Sequence, residues 1–287
     1  MAGMSRQIAA GPGWRADDVV CTAARGAAPF EEAHDEFCVA AVISGTFRYR
    51  TRQGTALLAP GALLLGNAGS CFECGHEHAA GDRCLSFHFS GDLLEQIRRD
   101  VPGASGAEFR MPRVPPAPEL SRLLAEAEAA RDEGDRAEME EIGLRLAGAA
   151  IHLGAGTTLA QRLGARDQRR VSEAVRIIEM DASRPIELAD LAAGAATSPY
   201  HFLRVFRQVT GQTPYQFVLA RRLHAAAVRL RRSADAISAI AFEAGFNDLS
   251  TFNRRFRRVI GQTPAAFRGG SRGSNSSLPT GKAKGES

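Results

Sequence analysis

The sequence has 287 residues, of which 44% are hydrophobic and 24% are charged. This length leaves room for two domains of about 100 to 200 residues each, and the ordinary composition excludes a largely disordered or fibrous protein. The net charge of +4 is unevenly divided: residues 1–165 hold 16 Lys and Arg against 22 Asp and Glu (net −6), whereas residues 166–287 hold 20 against 10 (net +10). Such a basic segment predicts a polyanionic partner, with nucleic acid the first candidate and an anionic membrane surface the second.

The start of the chain lacks the long apolar stretch of a secretory signal peptide, so we expect a cytoplasmic protein. The most apolar stretch, Ala56 to Leu65, is far shorter than the roughly 20 residues that a membrane span needs, and no membrane partner is expected. The cysteine count is five. An odd number in a reducing compartment favours free thiols or metal ligands over structural disulfides.

Residues 37–89 are predicted to form a sandwich or barrel of short strands, because turn signals recur every few residues. The predicted strands are Phe37 to Ile43, Thr46 to Arg50, Thr55 to Leu58, Leu63 to Leu65, Ser70 to His78 and Arg83 to Phe89. We expect the last two to pair as a hairpin around Gly81-Asp82. The closely spaced prolines of residues 112–118 then end the β region.

Two stretches rich in Ala, Glu and Arg, Glu119 to Glu133 and Asp135 to Leu153, place leucines at helical spacing and predict an αα-hairpin. This hairpin is either a packed connector or, through an exposed leucine seam, the interface of a homodimer. The Gly, Ser and Lys content of the last residues predicts a disordered tail. The predicted domains are residues 1–116 (β domain), 117–165 (helical connector), 166–269 (basic helical domain) and 270–287 (tail).

The basic half contains a repeat. The sequence Gly211-Gln212-Thr213-Pro214 recurs 50 residues later as Gly261-Gln262-Thr263-Pro264. The flanking residues Phe202, Arg204, Phe206, Arg207, Val209 and Phe217 recur at the same offset as Phe252, Arg254, Phe256, Arg257, Val259 and Phe267. Upstream, Leu188, Leu191 and Ala192 match Ile237, Ile240 and Ala241 at an offset of 49, so the second copy has one extra residue in the intervening turn.

Each copy has the pattern of a helix-turn-helix. Short helices over Glu187 to Ala195 and Ala236 to Ala244 are followed by new helices that begin at the capping residues Ser198 and Asp248. The aromatic residues of each second helix share one face and form the core, while Arg, Asn, Gln and Ser face outward, as DNA recognition requires. A connecting helix from Pro214 to Arg231 would be about 27 Å long. Two recognition helices so joined fit successive major grooves, about 34 Å apart.

The stretches IELADLAAGAATSPYHFLRVFRQVTGQTPYQF and AISAIAFEAGFNDLSTFNRRFRRVIGQTPAAF resemble the two helix-turn-helix units of the AraC/XylS family of transcription regulators. The resemblance implies double-stranded DNA and RNA polymerase as partners, and a regulator rather than an enzyme. It places at the DNA the residues Tyr200, His201, Arg204, Gln208, Ser250, Thr251, Asn253, Arg254 and Arg257. The β region, through Gly54 and Pro60-Gly61, resembles the family's cupin-type sensor of a small-molecule effector. The predicted fold class is α+β: an all-β, cupin-like barrel with an αα-hairpin, then an all-α domain of two helix-turn-helix units joined by a long helix.

A cluster of Cys and His gives the β region a candidate metal site. Side chains two apart on a strand share a face, so Cys74, His76 and His78 point together, and so do Cys84 and His88. If the predicted hairpin pairs residues whose numbers sum to 162, these ligands converge on zinc or another transition metal. A register shifted by one residue removes the site, and the other interpretations are a ligand pocket, a polar corner of the core or a thiol redox switch.

Two other functions compete with a sensing regulator. A cupin-like metalloprotein or metalloenzyme tethered to DNA needs a His-x-His with a Glu and a distant His, and neither His34 nor the pair His76 and His78 has a clear partner of that kind. An architectural DNA binder without sequence preference leaves the β domain without a purpose.

Overall fold

The computed structural model describes residues 3–22, 31–76, 81–102, 104, 106, 108–133, 136–155 and 164–269. The predicted disordered tail, residues 270–287, lies outside the described residues. None of the described helices is long and apolar enough to cross a membrane.

The described strands form two antiparallel sheets that face each other. They are β1 (Gly3–Gly11), β2 (Trp14–Cys21), β3 (Glu31–Ala33), β4 (Phe37–Ser44), β5 (Phe47–Thr51), β6 (Gly54–Leu58), β7 (Leu63–Gly66), β8 (Cys71–His76), β9 (Asp82–Phe89) and β10 (Arg113–Val114). The larger sheet has the order β1-β2-β9-β4-β7-β10, and the smaller sheet has the order β3-β8-β5-β6. This β domain confirms the predicted β-rich N-terminal half, while its likeness to a cupin barrel stays a prediction.

Strands β4 and β9 lie in the middle of the larger sheet and are buried on both faces. On one face Val39 and Phe87 pack against helices, and on the other face Cys38 and Cys84 pack against Tyr49 of the smaller sheet. The alternation follows from the two-residue period of a strand. The β domain therefore has three layers: helices, the larger sheet and the smaller sheet.

The predicted hairpin between Ser70–His78 and Arg83–Phe89 is wrong, because β8 and β9 belong to different sheets. Strand β8 pairs with β3 and β5, where Glu73 stands opposite Arg50 and accepts a hydrogen bond from it at 3.1 Å. Such a cross-strand charge pair stabilises this register. Strand β9, which is buried on both faces, pairs instead with β2 and β4 inside the larger sheet.

The helices of the β domain are α1 (Gly91–Arg99), α2 (Pro118–Glu133) and α3 (Arg136–Ala155). Helix α2 is buried on opposite sides: Leu120 and Leu124 pack on the larger sheet, and Ala125 packs into the core of the basic half. Of the two interpretations of the hairpin, the structure favours the packed connector for α2, because its leucines are covered within this chain. The domain boundaries themselves stay a prediction.

The basic half, here called the reader, consists of α4 (Ala165–Met180), α5 (Leu188–Gly194), α6 (Pro199–Thr210), α7 (Pro214–Arg232), α8 (Ile237–Glu243), α9 (Leu249–Ile260) and α10 (Pro264–Gly269). Unit 1 comprises α4 to α6 with the start of α7, and unit 2 comprises the rest of α7 with α8 to α10. Each unit has its own aromatic core, in which Phe206 packs on Phe217 and Phe256 packs on Phe267, with ring centroids 5.6 and 5.7 Å apart. The predicted pair of helix-turn-helix units joined by a long helix is confirmed.

Local signals set the ends of the two second helices, α6 and α9. The side chains of Ser198 and Asp248 accept hydrogen bonds from backbone N–H groups of the first turns, at 3.3 and 2.7 Å. Gly211 and Gly261 end the helices with φ angles of 75° and 83°. These left-handed angles suit glycine, which has no Cβ to clash.

The turns of the two units differ by one residue, as the change of offset predicts. Thr197 N donates to Ala192 O and, at the equivalent place, Phe246 N donates to Ala241 O, both at 3.1 Å. The extra residue of unit 2 is therefore Asn247, which lies between this bond and the cap at residue 248. In the tight part of each turn, Ala196 of unit 1 has φ 47° where unit 2 has a glycine.

Candidate nucleic-acid interface

The cores decide which side chains of α6 and α9 remain on the surface. Phe202 and Phe206 of α6 are buried, as are Phe252 and Phe256 of α9. Since a helix has 3.6 residues per turn, the residues between these positions point away from the core. The predicted DNA-contacting residues on these outer faces are exposed Arg204, Ser250, Asn253, Arg254 and Arg257 and half-buried His201, Gln208 and Thr251. The side chain of Tyr200 lies outside what the structure describes.

Helix α9 carries a run of four arginines. Arg254, Arg257 and Arg258 are exposed and Arg255 is half-buried, and none of their side chains forms a hydrogen bond or ion pair with a described residue. Arg207, at the position of α6 that matches Arg257, is also exposed, and its side chain has no partner among the described residues. Such cations attract phosphate without first losing an internal partner.

The prediction from sequence omits Arg207, Arg255 and Arg258. The repeat itself contains the signal for Arg207, because this residue matches Arg257 at the offset of 50. The other two have no equivalent basic residue in unit 1, where Val205 and Gln208 stand. Only the packing of α9 shows how far each is exposed.

Helix α6 has a different surface, because an acid of α4 lies against it. Nε2 of His201 is 3.5 Å from Oδ1 of Asp167, and Nδ1 is 3.4 Å from Nη2 of Arg204. Burial raises the pKa of Asp167, but hydrogen bonds from Arg170 and His201 outweigh this and hold the pKa below its usual value. Arg170 also donates to the Ala196 carbonyl at 2.8 Å and thereby holds the turn. The two reading faces are therefore chemically unequal.

One arginine of the β domain binds the C-terminal end of α6. Arg113 of β10 donates to the carbonyl oxygens of Val209 and Gln208 of α6 and of Leu57 in β6, the last at 2.8 Å. The final carbonyls of a helix lack partners within it and carry partial negative charge, so a guanidinium there satisfies both needs. Burial lowers the pKa of Arg113 to about 10, so the side chain is charged at neutral pH.

Further polar contacts join the β domain to α7. His224 Nε2 lies 2.7 Å from Oε2 of Glu128 in α2, and Arg231 donates to Glu138 of α3 at 2.8 Å. Burial acts to raise the pKa of Glu128, but the hydrogen bond and charge of His224, with nearby arginines, hold this pKa at about 2. The β domain thus contacts unit 1 through Arg113, and it contacts unit 2 through α2 and α3.

The structure does not assemble the predicted metal ligands in the expected way. Cys74 and Cys84 lie on different sheets and face the same apolar core. Nε2 of His88 forms a hydrogen bond with the Ser86 hydroxyl at 2.8 Å and lies 3.3 Å from Oδ2 of Asp17. His78 and the side chain of His76 lie outside the described residues. Among the described residues, no three His, Cys, Asp or Glu side chains are grouped to hold a metal ion.

The buried thiols are held in their protonated, unreactive form. Burial raises the pKa of Cys38 to about 11 and raises the pKa values of Cys74 and Cys84 above the usual thiol value. The thiolate is the form that binds metals and attacks disulfides, so these neutral groups act as core residues. No observation on the described residues favours the metalloprotein alternative or the redox switch.

Comparison with known proteins bears on both halves of the chain. The model "Helix-turn-helix domain" matches residues 191–270, and the model "AraC-like ligand binding domain" matches residues 18–147. The Right origin-binding protein of Escherichia coli (strain K12) is 38% identical over 91 residues, 32% of each chain, so this chain spans about a third of that relative. The regulatory protein SoxS of the same strain is 33% identical over 101 residues, which are 35% of this chain and 94% of SoxS.

A solved structure, the DNA-binding domain of the transcriptional factor AdpA in complex with a target DNA, is 29% identical with a TM-score of 0.35. It covers 37% of this chain and 96% of its own. The two relatives are named for regulation or origin binding and not for a catalytic activity. Nearly all of SoxS is matched, and the match to the AraC-like ligand binding domain precedes the match to the helix-turn-helix domain. The chain therefore belongs to the AraC/XylS family of DNA-binding transcription regulators.

Proposed function

We propose that the chain binds specific double-stranded DNA through the outer faces of α6 and α9, and that a small molecule in the β domain changes this binding. The observation that carries the proposal is the pair of exposed helix faces held by matching cores in two repeated units. Their Arg, Asn and Ser side chains are of the kinds that bond to base edges and phosphates. The four arginines of α9 add the electrostatic attraction.

The position of each residue on its helix suggests its role. In helix-turn-helix proteins the N-terminal residues of the recognition helix contact base edges. We therefore assign base reading to Ser250, Asn253 and Arg254 of α9, and phosphate binding to Arg257 and Arg258 near its end. On α6 we assign base reading to His201 and Arg204, and contact with the DNA backbone to Gln208 and Arg207. Tyr200 of α6 and Thr251 of α9 complete the predicted set.

The long helix α7 supports reading of two half-sites by one chain. Its 19 residues span about 28 Å at 1.5 Å per residue. This length approaches the 34 Å turn of B-DNA, about which successive major grooves recur on one face of the duplex. A single chain would then read two adjacent grooves.

The contacts of Arg113 suggest how an effector acts on the reader. This side chain joins β6, β10 and the end of α6, so a ligand that displaces either strand would move the first recognition helix. The identity of the effector, and a metal in the β domain, have no support in the described contacts. An effector therefore has to be found through the genes that the protein controls.

Two protein partners complete the proposal. A homodimer remains a prediction from the sequence of the helical connector. The structure gives it no direct support, because Leu120 and Leu124 of α2 and Leu146 of α3 are buried within this chain. RNA polymerase is the partner through which a regulator bound at a promoter would act. A protein that binds promoter DNA would be found on the nucleoid, in the cytoplasm. Sedimentation of the purified protein measures the first of these.

The experiment that tests the proposed function is selection of genomic DNA fragments by the purified full-length protein, followed by sequencing. A shared motif among the fragments is expected, and Arg204→Ala or Arg254→Ala should weaken binding to it. The matched control is Arg99→Ala on α1, because Arg99 is exposed and its one ion pair among the described residues is with Glu95, four residues away, at 3.3 Å. Salt-dependent binding without any motif would instead indicate an architectural protein.

A further inference from the structure

The two units of the reader pack their apolar residues at opposite ends of α7. Phe217 and Val218 belong to the core of unit 1, whereas Leu223 and Leu230 belong to the core of unit 2. The two cores are separate clusters. The two units share no apolar interior, so the angle between them depends on α7, on the β domain, which contacts both units, and on the polar contacts that join the units directly.

Arg222 lies on α7 between the two cores and binds carbonyl oxygens of both units. Its Nε donates to Ala182 at 2.6 Å, and its Nη2 donates to Arg184 at 2.9 Å and Ser183 at 3.3 Å, all in the loop between α4 and α5. Its Nη1 donates to Gly245 at 2.8 Å, in the turn between α8 and α9. One guanidinium thus ties the helix-turn-helix turn of unit 2 to unit 1.

The same turn touches unit 1 directly. Gly245 has φ 85°, and a Cβ at this position would lie 2.3 Å from the carbonyl oxygen of Ser183 and 2.8 Å from its Cα. Asp181 holds the facing loop in place, because its carboxylate accepts a hydrogen bond from Ser183 N at 3.1 Å. Backbone meets backbone here, only a few residues before α9 on one side and α5 on the other.

We propose that Arg222 is a positioning residue which, with Gly245, fixes α6 relative to α9 and so determines the spacing of the two DNA half-sites that one chain accepts. The inference rests on the proposed function, with double-stranded DNA as the partner. The planar guanidinium suits this task because it offers several donors in a fixed geometry. A lysine has one ammonium and cannot reach carbonyls of both units in the same way.

The test measures preference for half-site spacing. The probe is the duplex that the wild-type protein binds best from a random-sequence library, together with versions in which one or two base pairs are inserted or removed between the half-sites. Arg222→Met removes the donors and keeps the bulk, and Arg222→Lys keeps the charge. The matched control is Arg229→Met, because Arg229 lies on the same helix and its partners, Asp235 and Glu243, are both on the side of unit 2.

The wild-type protein and Arg229→Met should lose about tenfold in affinity for each change of spacing. Arg222→Met should bind all spacings within about twofold of one another, with Arg222→Lys between them. A structural role alone would lower affinity equally at every spacing, so a variant that keeps the wild-type preference overturns the inference. Should circular dichroism show that Arg222→Met is unfolded, Arg222→Lys and Gly245→Ala decide in its place, and unchanged spacing preference in both is the overturning result. A wild-type protein indifferent to spacing overturns this inference alone, whereas one that selects no sequence overturns the proposed function.

Discussion

Replacing Arg258 of α9 with alanine should weaken DNA binding chiefly through its salt-dependent part. The side chain is exposed and has no described protein partner, so the substitution leaves no internal acid unpaired. Each phosphate contact contributes about 0.9 to the slope of log K against log salt concentration. Between roughly 50 and 200 mM salt, the affinity of Arg258→Ala should therefore fall about 3.5-fold less than the affinity of the wild-type protein.

Replacing Arg254 with alanine should have a different effect, because this residue lies in the first half of α9. Loss of a base contact costs about 1–3 kcal/mol on the selected sequence and relaxes the preference at that base pair. Fluorescence anisotropy with a labelled duplex, measured for both variants over a salt series, separates the two effects. Arg99→Ala serves as the control.

The stability of Arg258→Ala should fall little. Arg258 lies in the last turn of α9, where a cation favourable to the helix dipole contributes about 0.3–1 kcal/mol. Thermal unfolding of the variant checks this figure. A folded Arg258→Ala with the salt slope of the wild-type protein would refute the assignment of this face to DNA.

The remaining predictions concern stability and coupling. Burial is the largest cause that lowers the pKa of His34 and His88 to about 4. In the unfolded chain the histidine pKa is about 6.5, so the unfolded state binds these protons at a higher pH than the folded state does. The free energy of unfolding should therefore fall by on the order of 3 kcal/mol per histidine as the pH drops from about 6.5 to 4. Denaturant titrations at several pH values measure this, and equal midpoints would contradict it. Ala196→Gly should raise the melting temperature by relieving the left-handed φ, a net gain of about 0.5–1 kcal/mol. Phe256→Ala should lower the free energy of unfolding by about 3–5 kcal/mol and unfold unit 2, which circular dichroism detects as a loss of helix signal. Unchanged stability would show that the core assignment is wrong. Arg113→Met should speed hydrogen exchange in the last turn of α6 but not in α9, and protection equal to wild type would rule out the contact as a support of that helix.

The first strands of the chain show why sequence patterns missed part of the β domain. Strand β2 buries Asp17 and Asp18, and Asp18 accepts hydrogen bonds from Arg83 of β9 at 2.8 and 2.5 Å. Buried acids break the alternation of apolar and polar residues by which a strand is recognised. Arg83 lies 65 residues from Asp18 in sequence, so this compensation cannot be read from the local pattern.

The misplaced β8–β9 pairing has a related cause. Strands that follow one another in sequence pair or neighbour each other in most folds, which favoured a hairpin. Because β9 is buried, its backbone N–H and C=O groups cannot bond to water and need strand partners on both edges. One of these partners is the unpredicted β2. With the hairpin, the basis for a Cys and His metal site also disappears.

The sequence by itself determined the reader, because its signals act within a few residues. Caps at Ser198 and Asp248, closing glycines and aromatic residues one turn apart specify each helix without reference to the rest of the chain. Only the tertiary structure decided how the parts meet: Arg222 reaches a loop 40 residues before it, and Arg113 reaches the end of α6 from 96 residues away. Such contacts depend on the packing of distant elements, which leaves no period or motif in the sequence.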